Sequence, residues 1–413
     1  MSNVCFGSEN LLKKENIALS RFALAEGVML REDEDGYFCE IPSGAFALGK
    51  WLIECQVEGG AVYDFSVRCR CALTEEDVYV LLTQYDENGR MPIREHAHTA
   101  KRDGDGIVFS EKLVCDKRTV RLCVELWLKG DGVCALWQDI SLTRGVALPE
   151  RRVRIAPVQA KSVGKSAEEQ QQNILSALDR AGALRADIVV LGEGLYGRGL
   201  GFPLARRAEG EDGELSRLVR EKARAYRMYI VYNTVEYESG AYYNTSYLFG
   251  RDGEVVGKYR KTHLPVAELE EGFTPGVGYP VFDLDFGRVG LLICYDQFFP
   301  RTAEALAMAG AELICIPSIG DMSHCSFARA MENGVYVAVS GANNENPHGF
   351  GATRVIDPLG RILAHTDEAF GIALCEVDLA ERVRRFWMST GPALSDVHDD
   401  YRFEKNSHSF QLA

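Results

Sequence analysis

The chain of 413 residues has no stretch approaching the ~20 consecutive apolar residues that a membrane-spanning helix needs. Its first twenty residues lack the apolar core after a basic start that marks a secretory signal, so a cytoplasmic location is expected. Basic residues are in the minority: 46 Lys and Arg stand against 60 Asp and Glu, a formal charge of −14. A balance of that sign argues against nucleic acid or an anionic membrane as main partner. No Cys-x-x-Cys pair occurs, which removes the usual zinc-ribbon spacing; neither a metal nor a cofactor is expected. Internal repeats and low-complexity tracts are missing too. Gly164, Lys165 and Ser166 imitate the end of a phosphate-binding loop, but the glycine required five positions earlier is Gln159. Ser166 is better explained as a helix cap.

What is present divides the chain. Its length suggests two domains, and 46% apolar residues suffice for a real core. Residues 1–148 are expected to form an all-β accessory sandwich of jelly-roll-like type. Segments 51–58, 63–73, 78–86 and 119–128 are rich in β-branched and aromatic residues, and turn clusters such as DENG and KGDG separate them. Trp51, Trp127 and Trp137 make a carbohydrate ligand conceivable there, although tryptophan in a sandwich is more often core. His96 and His98 are expected as solvated loop histidines. Eight of twelve cysteines precede residue 135: Cys5, Cys39, Cys55, Cys69, Cys71, Cys115, Cys123 and Cys134. Their irregular spacing is expected of reduced thiols rather than a disulfide framework.

A Gly- and Pro-bearing linker at 144–152 ends this region. Residues 149–385 then alternate strand and helix, the pattern of an α/β domain with buried sheets. Strands are expected at 152–160 and 186–194, helices at 166–184, 214–227 and from Arg301, and three strands within 228–261. Residues 386–413 form a polar tail with isolated aromatics, expected as an oligomerisation segment.

Three apolar strands end in reactive groups. Glu193 follows IVVLG, Lys261 closes GKYRK, and Cys294 closes VGLLI. A carboxylate after a buried strand is costly unless paired or used. In a layered α/β fold strand ends share a rim, so the three can meet. Each also has a plain structural explanation: a satisfied turn carboxylate, a solvated lysine, a buried thiol. Together they make a coherent set. A thiolate attacks an amide or nitrile carbon, a carboxylate relays protons, and an ammonium steadies the oxyanion. Cys315, Cys325 and Cys375 are taken as structural.

From Arg152 to Leu379 the sequence closely resembles the nitrilase superfamily of carbon–nitrogen hydrolases. LGEG, GKYRKTHLP and VGLLICYDQFFP stand in the family's order, supported by YYNTSYLF, EGFTPG, GAELICIPS, FARAMENGVYVAVSGANN and IDPLGRIL. The resemblance implies a four-layer αββα sandwich. It implies Cys294 as nucleophile, Glu193 as base and acid, Lys261 as oxyanion stabiliser, and the Tyr295 backbone N–H as helper. It assigns to Glu271 the orienting of lysine and substrate. Tyr196 and Ser318 are expected to line the pocket. Two positions depart from the family: Gly192 replaces a proline and Arg301 an acidic residue. CYDQFFP most resembles enzymes of N-carbamoyl amines, with small carboxamides close behind. Nitrile hydrolysis, or an inactive binding or scaffold protein, is the alternative. A homodimer or larger homo-oligomer is expected by the same likeness.

Overall fold

The structure, a computed structural model, describes residues 10–44, 46–73, 77–90, 93–159, 164, 166–197, 199–319, 325–341, 353–368, 370–387 and 393–397. It divides into two compact units at Pro149/Glu150 and Val383/Arg384. The first boundary lies at the expected linker. The second lies just before the expected tail, of which residues 386, 387 and 393–397 are described and the rest lie outside the described residues. Strands Arg384–Trp387 and Ala393–Asp396 pair with each other, and Leu394 lies in register with Ile93 of the first unit.

That first unit is a sandwich of a seven-stranded and a six-stranded sheet. In strand Val62–Arg70 the residues Tyr63, Phe65, Val67 and Cys69 alternate inward, as period-2 patterning requires. Trp51 and Trp137 are buried in the core, so neither is a surface platform, while Trp127 is half-buried and stacks on Tyr79. The histidine expectation is corrected: His96 ends strand Ile93–His96, buried beside Tyr79, and His98 Nδ1 lies 3.1 Å from Glu111. Hydrophobic neighbours and a carboxylate, not solvent, surround them. The described cysteines are all free thiols.

The unit 150–383 holds two six-stranded sheets. One runs in the order 255–260, 241–249, 229–238, 188–190, 152–157, 375–378; the other is 281–283, 288–291, 313–317, 336–340, 353–356, 362–366. The central strands of each are parallel. Apolar residues from both, including Ile155, Val190, Val231, Leu291 and Ile314, share one core between the sheets. Helix Ala167–Ala183 presents Ile174, Ala177, Leu178 and Ala181 at helical spacing to the outer face of the first sheet, beside Leu215, Val219 and Ala223 of helix Glu214–Tyr226. The Ser166 side chain accepts the Glu169 N–H at 3.2 Å, as a cap should. Helix Pro300–Met308 covers the second sheet with Ala303 and Leu306 and begins at Pro300, whose missing N–H costs nothing there. Gly290 permits the contact: a Cβ would lie 2.9 Å from Leu306. The layers are therefore helix, sheet, sheet, helix, the expected αββα sandwich. Among the described residues no helix is long and apolar enough to cross a membrane.

The first unit also buries charge. Glu125 accepts hydrogen bonds from Thr83 at 2.8 Å, Lys50 at 2.7 Å and Arg94 at 2.8 Å. Removing one member leaves the others uncompensated, at a cost of about 3–5 kcal/mol. Glu125→Ala is expected to lower the urea midpoint of this unit clearly. All four tryptophans, at 51, 127, 137 and 387, belong to it, so tryptophan fluorescence reports it selectively. An unchanged midpoint contradicts the assignment.

Candidate active site

Glu193 lies just past strand Ile188–Val190, Lys261 directly after Val255–Arg260, and Cys294 at the turn after Arg288–Leu291. All three are buried, with 3%, 1% and 4% of their surface exposed. The strands carrying Asn233 and Asn244 stand between those leading to Glu193 and Lys261. The long lysine side chain crosses this interval. Its Nζ donates to Glu193 Oε1 at 2.8 Å and to Glu268 Oε1 at 2.7 Å. Asn244 Nδ2 donates to the same Glu193 oxygen at 2.9 Å, and its own oxygen accepts from Asn233 Nδ2 at 2.8 Å. Asn233 Oδ1 in turn takes the Gly194 N–H at 2.8 Å, fixing the backbone beside Glu193.

Cys294 occupies a strained turn. Its φ is +42°, a left-handed conformation that a non-glycine residue adopts at a cost of about 1–3 kcal/mol. The bend ends the strand and starts the 3-10 turn Cys294–Phe298, whose first N–H groups, that of Tyr295 included, have no partner inside the turn. The thiol lies among Glu193, the Ser318 hydroxyl and the Ile319 N–H, the polar groups that act on its ionisation. Gln297 Nε2 donates to the Cys294 carbonyl at 3.0 Å.

Asp296 ties this turn to the lysine strand. It is fully buried. One oxygen accepts from the Tyr259 hydroxyl at 2.8 Å and the Ile293 N–H at 3.0 Å. The other accepts from the His263 N–H at 3.1 Å and the Thr262 hydroxyl at 3.2 Å. Residues on both sides of Lys261 are thus bound to a carboxylate two residues from Cys294, which fixes the gap between amine and thiol across the two sheets.

Electrostatics set the resting protonation. Burial alone raises the Glu193 carboxyl, but the Lys261 charge and hydrogen bonds from Lys261, Cys294 and Asn244 outweigh it and hold the group below the usual carboxylate range. Glu268 moves the other way, raised by burial and by the Glu193 charge against the pull of Lys261. Burial opposes the Lys261 charge; Glu193, Cys294 and Glu268 more than restore it, so its pKa lies above that of ordinary lysine. Burial and then the Glu193 charge push the Cys294 thiol up to about 12. The resting site therefore holds an ammonium, a carboxylate at Glu193 and a protonated thiol.

A cavity of about 360 Å³ reaches this group at Glu193 and Glu268, while Cys294 and Lys261 lie behind its wall. Glu193, Gly194, Asn244, Glu268 and Ile319 are among its walls, and Phe202, Val235 and Phe273 give it apolar surface. Ser318 touches the sulfur but is not part of the wall. Tyr196 is also absent from the wall and packs against the core between helix 167–183 and the first sheet. The turn at Gly197, with φ +75°, separates it from the lining loop. The second glutamate is corrected as well: Glu268 meets Lys261, whereas Glu271, one turn further along helix Val266–Glu271, is paired with Arg207 and lines the cavity. Asn233 and Asn244 went unnoticed in the sequence. Their signal was an amide in the middle of otherwise β-branched and aromatic strands. Among the described residues no group of three His, Cys, Asp or Glu side chains is arranged to hold a metal.

Lys261→Met tests the electrostatic account. It leaves the buried Glu193 and the half-buried Glu268 without their cation, costing about 3–5 kcal/mol near neutral pH. Both folded-state pKa values then rise above the unfolded value. The penalty applies at pH above those raised values and is relieved as pH falls through them toward the ordinary carboxylate range. The stability gap between wild type and variant in urea unfolding is expected to narrow between about pH 8 and about pH 5. A gap that stays constant or widens on acidification contradicts the account.

Similarity to known proteins points the same way. The profile of the carbon-nitrogen hydrolase family matches residues 154–385, more than half of the chain. Nitrilase homolog 2 of Dictyostelium discoideum is 30% identical over 237 residues, covering 52% of this chain and 72% of that protein. A protein named Nitrilase from Pyrococcus abyssi is 30% identical over 273 residues, 63% of this chain and 100% of the relative. Human Omega-amidase NIT2 is 30% identical over 191 residues, 42% of this chain and 69% of that one. Among solved structures, Saccharomyces cerevisiae Nit3, a member of branch 10 of the nitrilase superfamily, shares the fold with a TM-score of 0.50 at 22% identity, over 63% of this chain and 95% of that one. The matched span contains all three strand ends just described, and the chain belongs to the carbon–nitrogen hydrolase family of the nitrilase superfamily.

Proposed function

We propose that the chain hydrolyses a terminal –C(O)NH2 group on a small molecule, a carboxamide or the ureido group of an N-carbamoyl amine, and releases ammonia. The observation that carries this is the Lys261 ammonium held between Glu193 and Glu268, at 2.8 and 2.7 Å, with the buried Cys294 thiol close enough to feel the charge of both Glu193 and Lys261.

The steps follow from the resting protonation. Cys294 is a weak nucleophile as a thiol, so Glu193 takes its proton as sulfur attacks the carbonyl carbon. The C=O electron pair moves to oxygen, and Lys261 with the Tyr295 N–H meets that charge. The C–N bond then breaks, Glu193 hands its proton to the leaving nitrogen, and ammonia departs from a thioester. For a ureido substrate the acyl group is a carbamoyl-type thioester. Water attacks this carbon as Glu193 takes its proton; the C–S bond breaks and the thiol is restored. A ureido substrate yields a carbamic acid, which falls to amine and carbon dioxide. Burial makes both steps sensitive to charge placement, which is why the second carboxylate, Glu268, matters: it holds the lysine from the far side.

The sequence after the cysteine, Tyr295-Asp296-Gln297, favours the ureido substrate, and the relative named Omega-amidase NIT2 favours the carboxamide. Both share the reacting group. Ammonia release from matched panels of carboxamides, N-carbamoyl amines and nitriles tests the proposal. Amides or ureido compounds are expected to turn over, and Cys294→Ala to lose at least about a thousandfold in rate. Exclusive turnover of nitriles, or activity surviving in Cys294→Ala, is the contrary result.

A further inference from the structure

The cavity carries a charged pair that the reaction does not use. Arg207 Nη1 donates to Glu271 Oε1, and both residues line the same cavity as Glu193. The arginine side chain is 16% exposed and the glutamate 40%. Arg207 Nε is buried and has no hydrogen-bond partner. A guanidinium offers five N–H groups in a rigid fork; the pairing with Glu271 engages Nη1 alone, so the exposed part of the fork can still take an acceptor from the cavity.

The surroundings are built around this arginine. Helix Leu204–Arg207 places it, and its guanidinium lies 6.0 Å from the centre of the Phe273 ring. Leu204, Val235 and Phe273 form a small apolar cluster under it. Gly197 leaves room for its stem: a Cβ there would lie 2.8 Å from Arg207 Cγ. Such support is more than a surface ion pair receives or needs.

We propose that Arg207 and Glu271 are the recognition end of the cavity, and that they select substrates with an amino-acid head group, the –C(O)NH2 group lying at the other end. This rests on the reading of the cavity as the substrate site. A carboxylate alone would sit on Arg207 but beside Glu271 and Glu268. A cation alone would meet Glu271 but face Arg207. A zwitterion gives each member of the pair an added partner and introduces no net charge into a confined, weakly screened space. The substrate class is therefore a short amino acid whose side chain ends in a carboxamide or ureido group.

Four substrates of matched length separate the contributions: a neutral amide, and the same amide carrying a carboxylate, an ammonium, or both. The wild-type kcat/KM is expected to favour the zwitterion over each of the other three by at least about tenfold. Arg207→Gln removes the carboxylate partner, so it is expected to erase the advantage of the zwitterion over the cationic amide. Glu271→Gln removes the ammonium partner and is expected to erase its advantage over the anionic amide. The two losses are crossed, and a general loss of folding or chemistry cannot produce them. Equal turnover of the neutral or singly charged amides overturns the proposal, as does a uniform loss across all four in both variants. No turnover of any amide by wild type overturns the hydrolase reading instead, so the two failures are distinguishable.

Discussion

A single buried ammonium sets the terms for the site. Lys261 is 1% exposed and donates to two carboxylates. In that environment its charge is tolerable only because Glu193 and Glu268 stand within hydrogen-bonding distance. Each carboxylate is likewise tolerable only because of the lysine. The two acids sharing one cation differ in pKa, Glu193 down and Glu268 up, and the Cys294 thiol is pushed above its usual range by burial first and by the charge of Glu193 second. The division of labour is electrostatic before it is chemical: one carboxylate is kept ready to accept a proton, and the thiol keeps its proton until attack.

Maintaining that arrangement is the task of the two sheets. One supplies Glu193 and Lys261, the other Cys294, and the αββα stacking brings their strand ends to one rim. Packing alone would leave the gap between amine and sulfur loosely defined. Asp296 defines it, since it binds Tyr259, Thr262 and His263 around the lysine as well as Ile293 before the cysteine. The left-handed backbone at Cys294 is the cost of aiming the thiol out of its strand, and it persists because the surrounding bonds leave no alternative.

Much of this was legible in the sequence, for a physical reason. Polar residues that terminate runs of buried β-branched residues are expensive, so Glu193, Lys261 and Cys294 stood out one by one, and their order identified the family and its four layers. Other features depend on geometry that spacing does not carry. Three glutamates lie at 268, 270 and 271 in one short helix, and counting back from the Pro-Gly turn favoured Glu271. Which of them meets the lysine depends on how that helix is set against the strand, and the answer is Glu268. Tyr196 is near Glu193 in sequence, but its ring is half-buried against the core outside the two sheets and is not part of the cavity wall. Strand Ala393–Asp396 pairs with its neighbour Arg384–Trp387 and also meets Ile93, some 300 residues earlier in the chain, a contact that no local pattern encodes. Arg207 and Glu271 were likewise invisible as a pair, since only the fold brings residues 64 apart to one wall.

The central claim is that Cys294 rests as a protonated thiol and is activated only when Glu193 accepts its proton during attack. Thiolate absorbance in the ultraviolet measures it most directly, taken as the difference between wild type and Cys294→Ser across a pH titration so that the other eleven thiols cancel. The account predicts no Cys294-dependent thiolate between about pH 6 and about pH 9, a range in which an ordinary cysteine already titrates. A thiolate signal appearing near neutral pH would contradict it, because the nucleophile would then be ionised before substrate arrives and Glu193 would have no proton to take.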